Sequence, residues 1–351
     1  MFECDHALDA AAVRACRAHW DGIAKPLGSL GLLEDAVARI AGIRGDADVR
    51  LERRAVLTLC ADNGVVAEGV SQSGQEVTAL VADNIANGIA NVNAMARAAR
   101  TEVFAVDVGV AGETHAPGLL RRRIMPGTHD MALGPAMSRR EAEAAVQTGI
   151  DLAGEMKAAG YDILCTGEMG IGNTTTSSAL VSVLLGQPVE AVTGRGAGLS
   201  GAGLKRKIEV IRRAVELNRP DPADALDVLA KVGGLDIAAM AGVFIGGALR
   251  RIPVVVDGFI SAAAALTAVR LCPAAREFML ASHVSGEPAG KLALDALGLS
   301  APIQARLCLG EGTGAVALLP LLDMALAVYH QNSTFEKIHL EAYQRFGEDE
   351  P

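Results

Sequence analysis

The sequence predicts an α/β fold in which helices flank a doubly wound, mostly parallel sheet. Three observations support this prediction. Half of the 351 residues are apolar, which is enough for a large buried core, and only 3% are aromatic while glycine is abundant. Short apolar runs end in turns that contain glycine, and amphipathic helical segments alternate with these runs.

Five apolar runs have the length and composition of buried parallel strands. They lie at residues 56–61, 103–108, 161–166, 254–256 and 306–309, and a glycine follows each run directly or within three residues. Ligands of an open parallel sheet bind outside the carboxyl ends of its strands, so these turns are the first place to look for a site. The pattern does not determine the strand order.

The clearest helix is predicted to begin after Ser138, whose hydroxyl can form a capping box with Glu141, and to end at Gly160. Further helices are predicted at 176–185 and 204–217, the second from an apolar stripe at helical spacing. Neither chain end has a strand pattern. We therefore predict that residues 1–50 and 321–351 form a small helical lobe and that residues 51–320 form the large α/β catalytic domain.

Charge and cysteine content exclude several classes of function. The formal charge of −9 offers no basic surface for nucleic acid, and the arginine run at 121–123 is too short to change this. The six cysteines contain no C-x-x-C pair and have no histidines at zinc-ligand spacing, so we expect no metal site. Acidic Glu3 and Asp5 disfavour a signal peptide, and no apolar run spans a membrane without interruption. We expect a cytoplasmic protein that binds no membrane.

The richest turn is GEMGIGNTTT at 167–176. Its glycines allow the backbone to approach a ligand, and its threonines can cap a helix and donate hydroxyls to phosphate. It has no Gly-Lys-Ser/Thr element, which disfavours a triphosphate-binding loop. Read alone, it fits a tight structural turn equally well.

Three further segments carry candidate side chains. GRGAG at 194–198 leads to a helix with Lys205, Arg206 and Lys207, for which spacing alone favours a solvated helix face. HVSGEP at 283–288 reads as a loop with a structural histidine. LGEGTG at 309–314 holds Glu311 between glycines at a predicted strand end, where a carboxylate is either exposed to the crevice or specifically partnered. The alternative for Glu311 is a helix cap.

Together with KPLGSLG at 25–31, these segments resemble in sequence and in order the nicotinate-nucleotide:dimethylbenzimidazole phosphoribosyltransferase family of cobalamin nucleotide-loop assembly. The resemblance covers approximately residues 20–328. It implies a homodimer that needs no cofactor, with nicotinate mononucleotide and a benzimidazole base as substrates. It also implies that the phosphoribosyl group is transferred with inversion at C1′.

The resemblance also implies residue roles. Glu311 would be the base that removes the proton from benzimidazole, and Glu168 would lie beside the ribose, where it favours positive charge or binds a hydroxyl. The implied phosphate-binding residues are Thr174, Lys207, Ser285 and Gly286, with Lys205 as an alternative to Lys207. The implied ribose and base contacts are Gly170, Ser73, Val81 and Leu309.

One region departs from the family pattern. The chain has Asn63 where the family usually has histidine, and Val81 where some relatives have glutamine. A more apolar pocket follows on that side, so the preferred acceptor base stays open.

Two other functions fit parts of the sequence less well. A nicotinamide-dependent dehydrogenase needs an acid roughly 20 residues beyond its glycine fingerprint, on a second strand. Glu190 has that spacing but no clear strand around it. A non-catalytic nucleotide-binding or sensor protein would not need both Glu168 and Glu311.

Overall fold

The computed structural model describes Cys4 and residues 6–344. Its centre is a six-stranded sheet in which every neighbouring pair of strands is parallel, in the order β3-β2-β1-β4-β5-β6. The strands are β1 Arg54–Ala61, β2 Glu102–Gly109, β3 Leu120–Arg121, β4 Ile163–Met169, β5 Val254–Val256 and β6 Met279–Ala281. The direction of winding reverses between β1 and β4. The prediction of a doubly wound parallel sheet is confirmed.

Thirteen α-helices connect and cover the strands of the described part of the chain. They are α1 Ala10–Gly22, α2 Leu32–Arg44, α3 Glu76–Ala86, α4 Asn91–Ala98, α5 Arg139–Ala158, α6 Asn173–Leu185, α7 Val189–Val192, α8 Gly201–Asn218, α9 Ala225–Val232, α10 Leu235–Arg250, α11 Phe259–Leu271, α12 Gly290–Leu297 and α13 Thr313–Gln331. Short 3₁₀ helices lie at Gly64–Glu68, Pro273–Phe278 and Glu336–Ile338.

The central strand β1 shows why the sheet is covered on both faces. All eight of its residues are buried. Leu57 and Leu59 belong to one apolar core, with α5, α10 and α11, whereas Val56 and Cys60 belong to a second core, with α2 and α13. Because alternate side chains of a strand point to opposite faces, a strand with two buried faces needs an almost continuous apolar sequence.

Helices α1 and α13, near the two ends of the described chain, lie on the second core. The rings of Trp20 in α1 and Tyr329 in α13 are 4.8 Å apart, and Ile23 forms an antiparallel bridge with Thr334. The domain division at residues 50 and 321 stays a prediction. By length and composition alone α13 could cross a membrane, but about half of its residues are buried against the rest of the protein.

Helix α5 begins directly after the predicted cap, and Ser138 and Glu141 exchange both hydrogen bonds of the capping box. The predicted start of α6 is three residues too late. The predicted end of the preceding strand is also wrong, because β4 continues to Met169 and pairs Glu168 with Leu59. Glu168 is therefore a strand residue, held more rigidly than a turn residue.

The predicted strand at 306–309 is wrong. Arg306 has a left-handed backbone with φ 56°, and Leu309 is 56% exposed, so neither fits a buried strand. Pairing with the sheet is limited to one bridge between Ile303 and His283. The short strands β3 and β6 were not predicted, because β3 has only two residues and β6 lacks the β-branched residues that marked the equally short β5.

Candidate active site

A cavity of about 200 Å³ opens at the carboxyl ends of β4, β5 and β6, beside the segment that enters α13. This is the edge at which ligands bind in open parallel sheets. Six of the residues predicted for the site line it: Glu168, Gly170, Thr174, Ser285, Leu309 and Glu311.

Glu311 is held by contacts from two parts of the chain, α4 and β1. Its Oε1 accepts a hydrogen bond from Asn91 Nδ2 at 3.0 Å, and its Oε2 accepts one from the backbone N–H of Val92 at 2.9 Å. Its own carbonyl accepts a hydrogen bond from Thr58 at 3.1 Å. The carboxylate thus lies against the first turn of α4, whose free N–H groups and dipole suit a negative charge.

The backbone of Glu311 is also unusual. Its φ is 61°, a left-handed conformation that costs a non-glycine residue free energy. Its carbonyl packs on Gly167, where a β-carbon would clash with it. Residues in strained conformations cluster at functional sites, and the strain here coincides with a carboxylate on a cavity wall.

Glu168 shares a hydrogen-bond donor with a second acid. Asn173 Nδ2 donates to Glu168 Oε2 and, at 2.9 Å, to Asp236 Oδ2. Burial, reinforced by the neighbouring Asp236 carboxylate, raises the pKa of Glu168 to about 8. Burial also raises the pKa of Asp236. An acid on a cavity wall whose pKa is raised by burial and by a second acid is typical of functional sites.

A buried lysine adjoins the same cavity. Lys207 is 0% exposed, and its Nζ donates to Thr174 Oγ1 at 2.8 Å and to the Gly194 carbonyl at 3.2 Å. Burial lowers its pKa to about 8, against a smaller opposing effect of the Glu287 carboxylate. Lys205 lies on the same helix with its side chain exposed. The lysine that reaches the cavity wall is therefore Lys207.

The remaining predicted residues occupy varied positions. Ser285 Oγ faces the cavity and accepts a hydrogen bond from the Glu287 N–H at 3.3 Å, whereas the Gly286 N–H donates to the Leu307 carbonyl at 2.9 Å. Gly286, Ser73 and Val81 are not on the cavity wall. Ser73 is half-buried next to wall residues Ser71 and Gln72, and Val81 packs from α3 against the second core.

Sequence reasoning missed three polar residues. Asp257 lines the cavity and accepts a hydrogen bond from the Ala315 N–H at 2.9 Å; burial raises its pKa to about 6. An Asp-Gly pair directly after a strand was a signal for it. Asn91 and Asp236 do not lie in a recognisable sequence motif. Only tertiary packing brings Asn91 to Glu311 and Asp236 close to Glu168.

The geometry also bears on the dehydrogenase alternative and on metal binding. Glu190, the acid that a dehydrogenase would need, lies in the short helix α7 and not on a strand, which removes the support for that function. Among the residues that the structure describes, no group of three or more His, Cys, Asp or Glu residues is arranged to hold a metal ion.

The model of a family described as phosphoribosyltransferase matches residues 6–339. The chain belongs to this phosphoribosyltransferase family. A relative from Desulforudis audaxviator, named nicotinate-nucleotide–dimethylbenzimidazole phosphoribosyltransferase, is 50% identical over 330 residues, covering 94% of each chain. A relative of the same name from Ruminiclostridium cellulolyticum is 46% identical over 324 residues, covering 92% of each chain.

A crystal structure of the phosphoribosyltransferase of that name from Thermus thermophilus is similar to the whole fold. It superposes with a TM-score of 0.88 at 42% identity, covering 95% of this chain and 99% of that one. The resemblance recognised in the glycine-rich segments is confirmed, since the region that the family model matches contains all of them.

Proposed function

We propose that this protein transfers the phosphoribosyl group of nicotinate mononucleotide to 5,6-dimethylbenzimidazole or a related base. The products are α-ribazole 5′-phosphate and nicotinate, with inversion at C1′. One observation carries the proposal: Glu168 and Glu311 line the same cavity as Thr174, whose hydroxyl the buried Lys207 ammonium contacts. Two acids and a phosphate-binding cation are what this transfer needs.

The phosphate would be held by Lys207, Thr174 and Ser285, and Gly286, whose N–H is bound to the Leu307 carbonyl, would shape the turn that presents Ser285. Thr174 lies in the first turn of α6, where free N–H groups and the helix dipole favour an anion. Thr174 and Gly194 accept the hydrogen bonds of the Lys207 ammonium. A phosphate dianion is a stronger acceptor for it than either of these neutral oxygens.

The transfer itself requires one proton acceptor. A ring nitrogen of the base forms a bond to C1′ as the bond from C1′ to the nicotinate nitrogen breaks, and the bonding pair leaves with nicotinate. The other ring nitrogen then loses its proton to a carboxylate oxygen of Glu311. Asn91 and Val92 fix that carboxylate in place by contacting one oxygen each.

Glu168 would lie beside the ribose, together with Gly170. A negative charge there stabilises the positive charge that develops on the ribose as nicotinate departs. Leu309 on the cavity wall would contact the acceptor base, and Ser73 and Val81, which lie off the wall, would be further determinants of the base pocket.

The family resemblance supports three further proposals: the protein acts as a homodimer, in the cytoplasm, with a small helical domain drawn from residues 1–50 and 321–351. Analytical ultracentrifugation of the purified chain tests the first of these.

Purified protein incubated with nicotinate mononucleotide and dimethylbenzimidazole tests the proposed reaction, with both products followed by liquid chromatography. We expect nicotinate and α-ribazole 5′-phosphate in equal amounts. Absence of turnover with every benzimidazole, purine and phenolic acceptor would reject the enzyme function. Nucleotide binding without turnover would instead support a sensor.

A further inference from the structure

Asp236 is a buried acid beneath the cavity that the reaction above does not use. It is 0% exposed and lies in the first turn of α10. Its Oδ2 accepts a hydrogen bond from the same Asn173 nitrogen that donates to Glu168 Oε2. Because a side-chain amide nitrogen carries two hydrogens, Asn173 directs one at each acid.

The backbone around Asp236 is shaped for this arrangement. A β-carbon on Gly170 would lie 2.8 Å from Asp236 Oδ2, and one on Gly234 would lie 2.6 Å from Asp236 Oδ1. Two glycines therefore leave the space that the Asp236 side chain fills.

No cation among the described residues balances these two acids. The charged groups that act most strongly on Glu168 are Asp236 from α10, Asp257 from the turn after β5 and Glu311 from the segment before α13, and all three are acidic. A hydrogen bond from the Ile237 N–H favours the ionised form of Asp236, whereas burial and the neighbouring Asp62 carboxylate oppose it, and within the described residues Asp236 Oδ1 has no hydrogen-bond partner. Two buried, ionised carboxylates without a cation are strongly unfavourable, and one shared proton removes most of that cost.

We propose that Asp236, acting through Asn173, is a positioning residue that fixes the Glu168 carboxyl and shares a single proton with it. The inference rests on the proposed function. With one proton, the pair presents one negative charge to the ribose. That negative charge stabilises the positive charge that develops at C1′. The single proton avoids the cost of a second buried anion.

The pH dependence of kcat in wild type and Asp236→Asn tests the proposal. Saturating nicotinate mononucleotide is used so that the phosphate keeps Lys207 charged. We expect wild-type kcat to rise as the pH passes about 8, because loss of the shared proton then adds a second negative charge beside the ribose. In Asp236→Asn we expect this rise to move to lower pH, since Glu168 then ionises without a neighbouring negative charge. An unchanged alkaline limb in the variant would overturn the proposal, whether or not the rate falls.

A second measurement does not depend on turnover, and its first comparison, between wild type and Glu168→Gln, does not need Asp236→Asn to fold. Difference infrared spectra of the ligand-free protein at pH 7 should contain the C=O stretch of a protonated carboxyl that is absent from Glu168→Gln. In Asp236→Asn the midpoint for loss of this band should move to lower pH by about one pH unit or more, because the neighbouring charge is gone. A wild-type spectrum without the band would reject the shared proton even if the enzyme is active. If no nicotinate is released, the proposed function fails while the spectra still test the acid pair.

Discussion

Replacement of Lys207 by methionine should stabilise the ligand-free protein while it weakens nucleotide binding. The reason is that the lysine carries a charge at pH 7 although it is 0% exposed. Its Nζ contacts two neutral oxygens, Thr174 Oγ1 at 2.8 Å and the Gly194 carbonyl at 3.2 Å. Methionine has a similar length and fills the same space without a charge.

The expected magnitude follows from the pKa. Burial lowers the pKa of Lys207 from 10.5 to about 8, which corresponds to a cost of about 3 kcal/mol for keeping the charge in the folded state. Since the folded pKa is the lower one, this cost is fully present below pH 8 and disappears as the pH rises to 10.5. The variant loses two hydrogen bonds worth about 1 kcal/mol each. At pH 7 it should be more stable by about 1 kcal/mol.

The cost to nucleotide binding should be larger. A hydrogen bond from an ammonium group to phosphate contributes about 1.5–3 kcal/mol, so KM for nicotinate mononucleotide should rise about 10- to 100-fold. Urea unfolding at pH 7 and pH 10 measures the stability difference, and initial rates measure KM. Lys205→Met is the matched control, because this exposed lysine lies on the same helix.

Two results would contradict this reasoning. A Lys207→Met protein that is less stable than wild type at pH 7 would show that the buried ammonium is not a cost to folding. A rise in KM for Lys205→Met but not for Lys207→Met would identify Lys205 as the phosphate-binding residue.

Other variants test the acids and their surroundings. Glu311→Gln should lower kcat at least ~10²-fold with nucleotide binding intact. A near-normal kcat would show that Glu311 is not the general base. Asn91→Ala should lower kcat about 10-fold in the same assay, because Glu311 loses one of two N–H contacts; an unchanged kcat would show that Asn91 does not position it. Gly170→Ala should lower the free energy of unfolding by at least about 2 kcal/mol, since its methyl would clash with the Ala61 carbonyl. In the control Gly134→Ala the new methyl would have no atom within 4 Å, so the free energy of unfolding should change by less than about 0.5 kcal/mol. Equal effects of the two substitutions would show that the clash at Gly170 does not destabilise the protein.

The sequence predicted the main strands well because strands that are buried on both faces consist almost entirely of apolar residues. A strand such as β1, with apolar cores on both faces, must be apolar throughout, and a capping box such as that of Ser138 and Glu141 is local in sequence. The segment at 306–309 has a similar composition but no neighbouring strand to pair with over its length. Composition alone cannot supply that information.

The site divides in the same way. Glu168, Thr174 and Glu311 were predicted because they lie in glycine-rich segments whose order along the chain matches a family. Asn91 and Asp236 have no such surroundings. Their importance arises from contacts with residues 220 and 63 positions away, respectively.

The sequence by itself determined the fold class, the family and the two acids on which the proposed chemistry depends, because local composition and motif order carry that information. The tertiary structure decided that Lys207 and not Lys205 reaches the cavity, that α4 holds the Glu311 carboxylate, and that Glu168 has a buried acid as its neighbour. The physical reason is that the pKa and orientation of a side chain depend on burial and on through-space contacts. Those are set only when distant segments of the chain pack together.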